Sequence, residues 1–171
     1  IASPSRAEAK MMLDVRKMIE PSMVRSIAVT RSAEHLQSLL DHIATEEAAR
    51  SAGDRSTLVR LTGEFHLKLA EAARNAPLVS FQRSLVSQTS LIIAQYESSG
   101  RSHCSYDEHN QLIDAIEARD AERAVHLMMH HMDHIDSKLN LDEEGASDDL
   151  HAVFSHLLQT KKKPGRSAAN R

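Results

Sequence analysis

Apolar residues in this chain return every three or four positions along most of its length, and that period leaves little choice of fold. Ala9, Met12, Leu13 and Ile19 share one side of a helix over 6–20. Leu112, Ile113 and Ile116 repeat the pattern, as do Ala124, Leu127, Met128 and Ile135. No segment makes a credible strand. With only 5 Gly and 4 Pro among 171 residues, and Ala, Leu, Glu, Arg and Met plentiful, the composition favours helix throughout. The expectation is one all-α domain, an antiparallel bundle of about six or seven helices.

Local signals divide the chain. Pro21 should end or bend the first helix and open a second, because proline removes an interior hydrogen bond but suits a first turn. Ser32 can cap the next helix, which ends near Gly53. Asp54 or Ser56 can start the one after it. Asn75 and Pro77 separate that helix from one over about 77–97, with Asn75 expected as a C-cap. ESSGRSHCS reads as a loop, and Ser105-x-x-Glu108 as a capping box that opens a sixth helix. Asp120 can cap a seventh over about 121–140. NLDEEGASDD is turn-like, and 149–160 can add a further helical turn or two.

The net charge of −3 is unevenly spread. Residues 161–171 carry five cations and no acid, so residues 1–160 carry −8. An acidic body is a poor binder of phosphate backbones, and the basic end reads as a disordered tail. No apolar run approaches the ~18 residues needed to cross a bilayer. IASPSRAEAK lacks the apolar stretch of a signal peptide. Cys104 is the sole cysteine, which fits a reducing compartment. These features imply a cytoplasmic protein without membrane contact.

Histidine is the residue that remains to be explained. The chain has 11, and His103 to His134 holds six of them. His66 shares a stripe with Val59, Thr62, Leu69 and Ala73. His109 lies with Leu112, Ile113 and Ile116, and His131 with Ala124, Leu127, Met128 and Ile135. All three therefore face a core. Three inward imidazoles from three helices can converge on a divalent metal, or each can bond a carbonyl as an ordinary core histidine. His126, His130 and His134 form an i, i+4, i+8 row on the flank, expected to be solvated. His35, His42, His103, His151 and His156 show no common pattern.

DVRKMIEP (14–21), EFHLKLAEAARNAPL (64–78) and DEHNQLIDAIEARDAERAVHLMMHHM (107–132) resemble the FCD domain. This is the C-terminal effector-binding domain of the FadR subfamily of GntR-type bacterial transcription regulators. The resemblance spans about residues 6–140. It implies an all-α bundle that senses a small organic acid, forms a homodimer, and often holds a divalent metal, zinc or nickel being the candidates. The family's metal motif falls on His66, His109 and His131, the three that periodicity also selects. It further implies that residues 1–5 are the end of a wing from a winged helix-turn-helix, with DNA read by that N-terminal domain, and that 6–160 form the effector-binding domain.

The family's fourth ligand, an Asp four residues before the first histidine, is Thr62 here. Glu64 points about 160° away from His66 on a helix and is not a substitute. With no carboxylate among the ligands, a divalent ion keeps its charge, which favours an anionic effector at the open position. Arg16 lies on the inward stripe of the first helix, where it can face the effector or only pair with Glu20. Two other readings compete. A three-histidine metal with an open position is also the pattern of a hydrolytic enzyme, but no general base is evident. A purely structural dimerisation bundle would not place polar residues on core stripes.

Overall fold

The computed structural model describes residues 5–30, 32–96 and 104–139. They form six helices: α1 (Arg6–Thr30), α2 (Ala33–Ser51), α3 (Arg55–Ala72), α4 (Ala76–Tyr96), α5 (Cys104–Glu117) and α6 (Ala121–Lys138). There is no strand among the described residues. Of the expected wing remnant at 1–5, residues 1–4 lie outside the described residues, as do 97–103 of the expected loop at 97–105, the expected turns at 149–160 and the basic tail; Cys104 and Ser105 belong to α5 instead.

The two helices expected on either side of Pro21 are one. α1 runs through the proline for 25 residues. The reason is a single buried stripe that continues across it: Ala9, Leu13, Arg16 and Glu20 before, then Val24, Ile27 and Ala28 after. An interior proline costs about 3 kcal/mol. Burying Leu13 before it and Met23, Val24 and Ile27 after it, at roughly 1.5–3 kcal/mol apiece, outweighs that. Merging the two shifts each later helix down by one, so His66 is on α3, His109 on α5 and His131 on α6.

Tight connections make the neighbours antiparallel. α2 joins α3, α3 joins α4 and α5 joins α6 through a few residues each. Gly53, Arg74 and Arg119 take positive φ of 66°, 55° and 59° to end α2, α3 and α5. The two arginines hold a conformation that glycine usually takes, and so gave no sequence signal. Asn75, expected to close α3, instead opens α4: its Oδ1 accepts from the Leu78 amide at 3.2 Å. Asp54 and Asp120 cap as expected, accepting from Thr57 N and Arg123 N. Ser32 holds the N-cap position of α2 without a side-chain cap bond.

α1 and α6 have the largest interface. Lys10 pairs with Asp136, Lys17 with Asp133 and Asp136, and Arg25 with Glu122. Advancing along α1 means retreating along α6, so this pair too is antiparallel. The main core between the helices includes Leu13, Leu39, Phe65, Leu69, Ile116 and Met128, and a smaller cluster of Ala49, Leu58 and Leu61 joins α2 to α3.

Candidate metal centre

Each of the three selected histidines is buried: His66 is 3% exposed, His109 1% and His131 2%. The apolar stripes of α3, α5 and α6 turn them to a common point. His131 Nε2 lies 3.2 Å from His66 Nε2 and 3.4 Å from His109 Nε2. One ligand atom from each ring falls within 4.8 Å of the other two. Phe65 stacks on the His109 ring, centroids 3.9 Å apart, and fixes its plane.

The far side of each ring meets a carboxylate. His66 Nδ1 is 2.7 Å from Glu20 Oε2, His109 Nδ1 is 3.0 Å from Glu46 Oε2, and His131 Nδ1 is 2.7 Å from Glu108 Oε2. Burial alone raises all three carboxyl groups, but their partners overcome it. The Arg16 charge and His66 hold Glu20 well below the usual range. Hydrogen bonds from His109 and His42 lower Glu46 to about 2, and those from His131 and His134 lower Glu108 to about 2. Burial lowers His66 to about 3 against the attraction of Glu20, and His131 to about 4 against its bond to Glu108. Ionised carboxylates only accept, so each ring donates to its own carboxylate from Nδ1. On a neutral ring Nε2 is then a lone pair, and three such rings turn their lone pairs toward one another with no donor between them. A cation resolves that arrangement, and the donor set suits a borderline divalent metal.

These carboxylates correct two expectations. Glu108 is not spent on a capping box: Ser105 lies inside α5, and the Glu108 carboxylate bonds His131 and, at 2.6 Å, His134. Nor would the charge of a bound ion be unopposed, because three carboxylates stand behind its ligands. His42, which showed no pattern, is buried, with Nε2 2.8 Å from the Leu61 carbonyl and 3.4 Å from Glu46. A search of the α2 stripe through Leu39, Ile43 and Ala49 would have found both His42 and Glu46. Of the flank row, His126 and His130 are exposed as expected, and His134 is half-buried.

The histidines form part of the wall of a cavity of about 50 Å³ that Arg16, Thr62 and Ser90 also line. One water needs roughly 10–15 Å³ by this measure, so the space suits a small molecule. No carboxylate lines it among the described residues. Both alternatives for Arg16 hold together. Its Nε donates to Glu20 Oε1 at 2.6 Å, and it faces the cavity with Nη2 buried and without a partner among the described residues. Thr62 Oγ1 donates to the Val59 carbonyl at 3.0 Å.

Residues 11–134 match the family model of the FCD domain. The chain belongs to the FCD-domain family. Among curated proteins, this FCD domain is 27% identical to a probable D-xylose utilization operon transcriptional repressor of Paenarthrobacter nicotinovorans, over 69% of this chain and 58% of that protein. Among solved structures it resembles Streptococcus agalactiae GntR, with a TM-score of 0.63 and 23% identity over 75% of this chain and 58% of that one. That second likeness is one of fold. The FCD chain described here thus spans a little over half the length of each.

Proposed function

We propose that this FCD domain is the effector-sensing and dimerisation part of a cytoplasmic GntR-type transcription regulator, one that reads DNA through a domain outside these residues. In this reading His66, His109 and His131 hold a divalent ion, zinc or nickel, through Nε2. The observation that carries it is the meeting of three Nε2 lone pairs whose Nδ1 atoms are all committed to carboxylates. When bound, the ion supplies a Lewis-acidic position open to one oxygen of a small carboxylic acid. The charge argument for an acid passes to Arg16, whose unpartnered Nη2 offers a second, cationic contact. The repressor named among the relatives supports the regulatory role.

The chain's own residues then link ligand to output. Arg16 and Glu20 are on α1, and Glu20 holds His66 of α3. A ligand drawn to Arg16 therefore acts on the helix that leads back to residue 6. Regulation requires that the effector prefer one of two arrangements of that helix. The enzyme reading lacks support, since no acid or base lines the cavity beside the histidines among the described residues.

The test is a thermal-shift screen of zinc- or nickel-loaded protein against small organic acids, with His109→Ala as control. Stabilisation of about 2.7 kcal/mol is expected at a hundredfold excess over Kd. Absence of stoichiometric metal after reloading, or acids that stabilise the variant equally, overturns the reading.

A further inference from the structure

We infer that Glu20, Glu46 and Glu108 are positioning residues that set the metal affinity of the three-histidine site and supply the negative charge that Thr62 does not. The inference rests on the reading that the histidines bind metal. It concerns residues that touch neither metal nor effector.

The geometry assigns each carboxylate to a different ring and draws it from a different place. Glu20 comes from α1 to His66 of α3, Glu46 from α2 to His109 of α5, and Glu108 from α5 to His131 of α6. Each bond fixes the tautomer that leaves Nε2 free and makes that nitrogen a stronger donor to metal. Together the bonds tie five helices to one point. The formal charge is also matched: three carboxylates and the Arg16 guanidinium leave −2 around the three rings, which suits a divalent ion. A carboxylate at position 62 would place charge at the ion itself. Here it sits one imidazole further out, and the cavity side of the site stays free of acid.

The three are not equivalent. Glu20 also accepts from Arg16 and from Gln82 Nε2 at 2.7 Å, so removing its charge disturbs more than His66. Glu46 is fully buried, and among the described residues its close partners are His109 and His42. Glu108 is 15% exposed and shared with His134, so solvent screens it more. Glu46→Gln is therefore the cleanest probe, with the larger expected effect, and Glu108→Gln should have a smaller one of the same sign.

Zinc affinity is measured on the full chain by competition with a chromophoric chelator, and ring tautomers by nitrogen NMR of the metal-free protein. Glu46→Gln should bind zinc about 10–100-fold more weakly. Glu47→Gln, next to it but exposed and paired with Arg50, should match wild type. His66, His109 and His131 should carry their proton on Nδ1 in the metal-free wild type. Equal zinc affinity in folded Glu46→Gln and Glu108→Gln, or an Nε2-protonated His109, overturns this inference and leaves the metal site standing. A wild type that takes up no zinc overturns the site itself, and this inference with it. If Glu46→Gln does not fold, Glu108→Gln at the partly exposed edge decides the matter.

Discussion

Arg16 and Glu20 form a buried pair one turn apart on α1, at 2.6 Å, with side chains 2% and 0% exposed. Breaking such a pair from one side leaves a buried charge without its partner, at about 3–5 kcal/mol. Arg16→Ala should therefore lower the urea midpoint far more than its lost contacts suggest. The double variant Arg16→Met with Glu20→Gln should recover a good part of that loss. Equal stability of the single and double variants would show that Glu20 does not depend on Arg16.

Thr62→Asp should move two affinities in opposite directions. An Asp at this place, in the wall shared with the three histidines, can add a charged oxygen to the metal. Zinc should bind more tightly. A carboxylate effector should bind more weakly, since the new charge repels it. Thr62→Val, which only removes the hydroxyl bonded to Val59, should leave zinc binding near wild type. Calorimetric titration of both ligands separates these cases. Unchanged zinc affinity in Thr62→Asp would mean that this side chain does not reach the ion.

Gly63→Ala tests the wall where α3 meets α4. An added Cβ would sit 3.1 Å from Ser90 Oγ and 3.2 Å from Val86 Cγ1. Alanine gains about 0.8–1.0 kcal/mol of helix propensity over glycine, and the Ser90 hydroxyl can rotate away. Crowding by Val86 works against that gain. Net stability should change by less than about 1 kcal/mol. Effector affinity should drop several-fold, because α3 and α4 would part and the cavity would change shape. Wild-type effector affinity would place the ligand away from this wall.

Periodicity made the fold and the three histidines legible because both follow from which face of a helix is buried. It selected His66, His109 and His131 before any geometry was known. It did not reveal the carboxylates, because a Glu on a helix is usually solvated and its burial depends on a partner from another helix. Glu46 lies on the stripe of Leu39 and Ala49, and Glu20 lies one turn after Arg16, so both were visible as polar residues on core faces. Which ring each would meet depends on how α1 and α2 pack against α3 and α5. Pro21 misled for a related reason. Its local cost is real, but the stripe buried on both sides of it is a property of the assembled bundle.

Acid should destabilise the metal-free protein in a defined window. His66 is lowered to about 3 and His131 to about 4, mainly by burial, from an ordinary value of 6.5. As pH falls below 6.5, the unfolded chain takes up protons on these rings and the folded chain does not. Stability from these two groups is thus fully present above about pH 6.5 and is lost as pH falls toward 4 and then 3. The depressed carboxyls Glu20, Glu46 and Glu108 act in the same direction, but only below their ordinary value of 4.5. Between pH 6.5 and 4.5 the histidines therefore dominate. Each ring contributes a slope of up to about 1.4 kcal/mol per pH unit. Urea midpoints of chelator-treated protein at pH 7.5, 6.0 and 5.0 should decline steadily. The decline should shrink in a folded His131→Gln variant, which has one ring fewer to protonate on unfolding. Greater stability at pH 5.0 than at 7.5 would mean that the carboxylates hold these rings charged, and that neutral Nε2 donors are not the resting state of the site.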